Sequence, residues 1–424
     1  MNTGYILILL PLLVIFSYLF DLVAKRTRFP SVILLMITGI VARFIASLYG
    51  FNQVTFLDSL IPVLGTIGLI LIVMEGALEL DIRKEKTGLI FSGFLAAFLI
   101  LILNIFFIST FFNIVLSIPN NAAIIYSIPL SIISSAVAIP SAVGLIKKDK
   151  EFVVYESTFS DILGIVIFNY SLKQLELNDT LFSLSPIIKL FFQIIGIIII
   201  SLIITFFLFK LLQGIEHHVK FFLILAILIL VYSIGKIFHF PSLLTIFIFG
   251  IFLGNGGQLL PPFLSKSIDV EKTKISLHEF TILTSESTFL VKTFFFLFFG
   301  FSITLKSFSS IEPYIYAIII LIIMIGVRYL YFSVSKLSFK PTPILYMSPR
   351  GLISILLFLQ IGSINNPDLK TTIIDERVLL LVIILSMLAM IYGNLKFKAK
   401  DIPFEIETPI EEEELNNSNE QIND

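Results

Sequence analysis

The chain has 424 residues, 57% hydrophobic and 14% charged, with a formal net charge of −1. So apolar a chain excludes an ordinary soluble domain, and the near-neutral charge gives no sign of a nucleic-acid partner. With no cysteine and no tryptophan, disulfides and thiolate metal sites are excluded, and any interfacial aromatic belt falls to tyrosine.

Apolar runs of about 20 residues predict an all-α polytopic membrane protein with about thirteen spans. They lie near 4–22, 30–49, 59–79, 88–112, 122–146, 152–172, 186–211, 219–238, 241–257, 286–305, 313–335, 343–362 and 376–395. The first run has the length of a signal peptide. It lacks a basic amino end, however, and leads straight into Lys25-Arg26-Thr27-Arg28, so it reads as a retained span. Lys and Arg cluster in alternate connections, at 25–28, 83–86, 147–150, 210–220, 266–274, 336–340 and 396–400. The positive-inside rule then sets the amino terminus outside and the carboxyl terminus in the cytoplasm, with a bacterial plasma membrane as the expected setting.

An internal repeat predicts the architecture. Phe29-Pro30-Ser31 opens the second span and Phe240-Pro241-Ser242 the ninth, and the Gly-Ile pairs at Gly39 and Gly250 follow at the same offset. The third and tenth spans end alike, around Gly76 and Gly300. Copies seven spans apart have opposite topology, which is the inverted-repeat plan of secondary transporters. The reading divides the chain into repeats at 1–172 and 219–395, a linker span within 173–218, and an acidic, disordered cytoplasmic tail at 396–424. No nucleotide-binding domain is expected.

The fifth span carries Pro129 and Pro140 around a Ser/Ala-rich centre, and the twelfth, its repeat partner, carries Ser348-Pro349-Arg350-Gly351. Proline and small polar residues at membrane depth predict a crossed pair of broken helices whose freed carbonyls and helix ends face ions. Arg350 is placed to offset those carbonyls. Arg43 and Lys292 either belong to a buried charged constellation or snorkel towards an interface, and the sequence leaves both open. Arg328 lies deeper in an apolar run and needs an anion, for which Glu156 is the candidate. The two are expected to form a structural pair.

That leaves Asp161, about 140° round the helix from Glu156, with Ser157 one turn before it on the same face. A carboxylate at the bilayer centre costs roughly 3 kcal/mol and is tolerable when protonated, paired with a cation or facing a wet cavity. Asp161, Ser157 and freed groups around Ser134 and Ser135 predict a hard oxygen cage for Na⁺ or Li⁺, at which a proton can compete. Glu75 of the third span is a further candidate ligand.

These residues resemble the monovalent cation/proton antiporter superfamily, the sodium/proton exchangers. The resemblance rests on Glu156-Ser157 followed by Ser160-Asp161, on Phe294 to Gly300, on Arg328 and on Pro349-Arg350-Gly351. It implies that Asp161 binds cation and proton in turn, that Ser157 is a ligand, and that Glu156 and Arg328 form the structural ion pair. It also puts the broken pair at Ser134-Ser135 and Pro349-Arg350. A homodimer, with the second and ninth spans as contact candidates, is implied as well, with the transported cation and proton as substrates and no cofactor. The chain departs from the pattern at Ser160, where relatives carry Asn or a second Asp, and in the fifth span, where Ser134-Ser135 replaces an acidic motif. A single titrating aspartate implies one-for-one, electroneutral exchange. The alternatives are a sodium-coupled solute importer on a similar core, and an intramembrane enzyme built on His217, His218 and His239, which lack the helical spacing of a metal site.

Overall fold

A computed structural model describes residues 3–27, 30–48, 55–142, 144–176, 195–196, 198–207, 220–237, 242–255, 270–303, 310–335, 343–364, 366, 369 and 373–397. The opening residues Phe29, Phe240 and Pro241, the three histidines above, much of the linker span and nearly all of the acidic tail lie outside them.

The described residues are helical, with no strand among them. In chain order they form α1 (Thr3–Thr27), α2 (Ser31–Leu48), α3 (Thr55–Glu79), α4 (Thr87–Leu116), α5 (Asn120–Ser131), α6 (Ser135–Ser141) and α7 (Lys147–Glu176). After a helical stretch at 198–207 come α8 (Lys220–Ile237), α9 (Ser242–Gly254), α10 (Val270–Ser302), α11 (Glu312–Val334), α12 (Leu352–Ser363) and α13 (Glu376–Lys396). Several are long and apolar enough to cross a membrane. Their outward faces carry exposed Phe91, Ile114, Ile322 and Leu330, as expected where lipid is the solvent and every backbone group bonds within its own helix.

Two boundaries differ from the hydropathy reading. α10 begins at Val270, well before its apolar run, because 270–299 contains neither proline nor glycine to stop a helix that polar residues also support. The twelfth apolar run is not one helix but is interrupted around Pro349, where the sequence predicts a break: a short 3₁₀ turn at Pro343–Tyr346 is followed by non-helical chain up to Gly351, and only then by α12. Pro349 explains this, since it disfavours helical geometry in the residue before it and supplies no N–H.

The helices pack as two groups that meet along α3. In one, α10 lies on α2 and α3, and α9 lies on α3. In the other, α4 packs on α5, α7 and α11, and α11 packs on α13. α3 touches α6, α7 and α12 across the boundary. Inside the first group the backbones approach closely at glycines. A Cβ at Gly39 would collide with the Leu297 carbonyl of α10, and one at Gly300 with the Met36 carbonyl of α2. One at Gly250 of α9 would meet the Ala77 Cβ of α3 at 2.6 Å.

Because backbone cannot step aside as a flexible side chain can, Gly300→Val should destabilise the protein by about 1–3 kcal/mol. Heating in detergent followed by size-exclusion chromatography should show a lower midpoint of loss for this variant than for Gly326→Val, where a Cβ meets nothing within 4 Å.

Candidate ion-binding site

The site is built where two interrupted helices cross. α5 stops at Ser131, residues 132–134 run extended, and α6 starts at Ser135. Facing them is the non-helical stretch before Gly351, and the two breaks are joined by the Ser134 amide, which donates to the Pro349 carbonyl at 2.9 Å. The approach is tight: a Cβ on Gly351 would sit 2.5 Å from Ser134 Oγ and 2.9 Å from its Cβ.

Carbonyls freed at the breaks find a common donor. The fully buried Arg350 donates through Nε to the Leu130 carbonyl at 2.7 Å, through one terminal nitrogen to Ser131 at 3.1 Å, and through the other to Ser348 at 2.7 Å. Its own amide donates to Ser386 Oγ of α13 at 3.0 Å. Arg350 thus carries its positive charge to the negative end of α5.

α7 brings two carboxylates to this region with different partners. Glu156 is buried against Arg328 in a bidentate pair at 2.5 and 3.1 Å. Arg328 also donates to the carbonyls of Ile344 at 2.7 Å and Leu345 at 3.1 Å, and lies over the Phe332 ring. All of its charge is therefore directed at oxygen or a π-face.

Asp161, also buried, has no cation beside it among the described residues. Its Oδ2 accepts from the Ser135 hydroxyl at 2.5 Å and from the Ser135 amide at 3.1 Å, at the first turn of α6. Its Oδ1 has no hydrogen-bond partner among the described residues. Ser160 accepts from the Ile133 amide at 3.0 Å, which ties α7 to the break itself. Ser157 donates to the Val153 carbonyl of its own helix at 2.7 Å, and so keeps lone pairs but no spare proton for the cage. Ser134 Oγ is buried without a partner among the described residues.

A cavity of about 40 Å³, space enough for water, lies beside this cluster and is lined by Glu75, Gly76, Glu79, Ser135, Pro140 and Lys292 among others. Ser135 lines the cavity and also holds Asp161. Glu75 is ion-paired with Lys292 at 3.3 Å. Lys292 is therefore engaged inside the protein, one of the two readings the sequence leaves open, while Arg43 lies over the Phe301 ring.

Of the residues the sequence singles out, the structure joins Asp161 to Ser135, Ser160 to the break at Ile133, Glu156 to Arg328 and Arg350 to the carbonyls of both breaks, while Ser157 bonds back to its own helix and Ser134 Oγ has no partner among the described residues. The sequence reading passed over Glu79, Thr158 and Ser354. Glu79 is one turn from Glu75 on the same face, a spacing that could have marked it. Thr158 is the next residue after Ser157, and its Oγ1 and that of Ser354 at the start of α12 are buried and unpartnered among the described residues. The described residues contain no group of three or more His, Cys, Asp or Glu side chains gathered as for a tightly held metal ion.

The family profile described as sodium/hydrogen exchanger, transmembrane, matches residues 11–394. Two solved structures of the sodium proton antiporter MjNhaP1 from Methanocaldococcus jannaschii share the fold. One, at pH 8, has 20% identity and a TM-score of 0.71, covering 92% of this chain and 100% of that one. The other, from an electron-microscopy map, has 21% identity and a TM-score of 0.68, covering 95% and 100%. No individually curated protein matches the chain.

Breaking only one side of a buried ion pair leaves an uncompensated charge, at roughly 3–5 kcal/mol. Glu156→Gln and Arg328→Gln should each lower thermal stability by that order, and the double variant should lose clearly less than the sum. Additive losses in a double-mutant cycle would contradict the pairing.

Proposed function

Because the chain belongs to the sodium/hydrogen exchanger family, we propose that it exchanges a monovalent cation, Na⁺ or Li⁺, for H⁺ by alternating access, with Asp161 as the carboxylate both ions share. The observation that carries this reading is the asymmetry of the two buried carboxylates of α7: Glu156 has a permanent cation, and Asp161 has only the neutral donors of Ser135. A charge with no built-in counterion in a low-dielectric site must be neutralised by something that arrives. A proton on Oδ1 does this, and so does a monovalent cation. The two exclude one another on a single carboxylate, so each cation bound releases a proton.

The remaining residues have roles in the same scheme. Ser135 fixes the carboxylate in both forms through Oδ2. Ser134, Ser157 and Ser160 supply oxygen around it, and Glu75 is the further candidate ligand, at the cavity. These hard oxygens suit Na⁺ or Li⁺. The Glu156–Arg328 pair and Arg350 are structural. Glu75 and Glu79 at the cavity, followed by the basic residues 83–86, support access to Asp161 from the cytoplasmic side in the orientation set by the charge map.

Two halves in inverted repeat, 1–172 and 219–395, belong to the same reading. Repeat-related helices make reciprocal contacts, α2 on α10 and α9 on α3, and the repeat-related Gly39 and Gly250 both sit at those contacts. A homodimer, with the second and ninth spans as the candidate contacts, is part of the proposal. The family assignment removes the ground for a solute importer.

Asp161→Asn should remain folded and lose coupled exchange, since an amide neither releases a proton nor neutralises a cation. Wild-type rates of pH-gradient-driven Na⁺ flux in proteoliposomes containing the folded variant would end this assignment. With one titrating carboxylate, no net charge moves per cycle. Wild-type exchange should then be unchanged when a membrane potential is imposed, and Na⁺ driven by voltage alone would refute one-for-one coupling.

A further inference from the structure

Glu75 and Glu79 lie on one face of α3 and line the cavity that reaches Ser135, and Lys292 of α10 enters the same cavity to pair with Glu75 at 3.3 Å. The pair is only partly buried, with Lys292 and Glu75 at 18% and 20% exposure. It differs in this from Glu156–Arg328, where both partners are 1% exposed. It also lies wholly inside the α3–α10 packing, so motion of the two helix groups against each other along α3 need not break it.

From this geometry we infer that Lys292 is an affinity-setting residue: a tethered cation at the mouth of the Asp161 site that competes with the incoming Na⁺ or Li⁺ for Glu75 and so sets the concentration at which the site fills. The ammonium at the end of a flexible four-carbon stem is a compact point charge of the same valence as the transported ion. It occupies a carboxylate one residue from Gly76 and across the cavity from Ser135. A cation passing towards Asp161 meets both the attraction of Glu75 and Glu79 and the repulsion of Lys292. Partial exposure means that the pair opens at modest cost, so Lys292 tunes affinity and does not block entry. The inference rests on the Asp161 reading, because it needs that carboxylate as the destination.

The test is initial-rate Na⁺/H⁺ exchange in proteoliposomes for wild type, Lys292→Met, Lys292→Arg and Asp161→Asn prepared together. Lys292→Met should lower the Na⁺ KM by about two- to fivefold, the size expected for a partly exposed ion pair, with a smaller change in kcat. Lys292→Arg, which keeps the charge, should stay near the wild-type KM. A KM in Lys292→Met that is unchanged or raised overturns the inference, as does an equal KM shift in Lys292→Arg. If Lys292→Met does not fold, Lys292→Gln is judged by the same criterion, and failure of both to fold assigns the pair a structural role and overturns it too. Wild-type exchange that persists in Asp161→Asn would instead sink the Asp161 reading, which separates the two failures.

Discussion

Two helices that stop in the middle of a membrane protein leave backbone carbonyls with no helical partner, and the rest of this site depends on how that deficit is met. Lipid offers no hydrogen bonds, and each unsatisfied buried polar group costs on the order of 1–3 kcal/mol. Arg350 meets it by donating to Leu130, Ser131 and Ser348 at once, and the Ser134 amide joins one break to the other through Pro349. With the crossing fixed, α6 can begin at Ser135 and offer its first-turn amide and hydroxyl to Asp161. Backbone that is not helical at this depth needs donors from elsewhere in the chain, and one buried guanidinium supplies most of them here.

α7 then holds two buried carboxylates in different electrostatic settings. Glu156 and Arg328 hold α7 against the chain at Ile344 and Leu345, with charge and hydrogen bonds closed on themselves. Five residues on, Asp161 keeps an oxygen uncommitted among the described residues. Burial alone does not tell these carboxylates apart, since both are almost fully enclosed. The difference lies in whether the counterion is part of the chain.

Much of this was legible in the sequence because membrane-buried charge is rare enough to be read residue by residue. Arg328 in an apolar run demanded an anion, and Glu156 is the one it has. Pro349 marked the interruption of the twelfth span, since proline cannot donate to a helical ladder, whereas Pro129 and Pro140 only bracket that of the fifth: both lie inside helices, and the break falls between them at 132–134. What the sequence did not carry was direction. Nothing in its pattern tells that the Ser157 hydroxyl turns back to Val153, that Ser160 accepts from Ile133, or that Lys292 crosses from α10 to Glu75. Those outcomes depend on helix rotation, and the last also on the distance between segments 217 residues apart in the chain. Hydropathy also blurred α10, whose polar first turns are as helical as its apolar ones.

The central claim is that a cation and a proton compete for one carboxylate, and proton release on cation binding tests it most directly. Purified protein in lightly buffered detergent solution is titrated with NaCl, with choline chloride as the control, while the pH is followed. The account predicts release of about one proton per bound Na⁺, and no release from Asp161→Asn. Na⁺ binding without proton release in wild type, or undiminished release in Asp161→Asn, would contradict it.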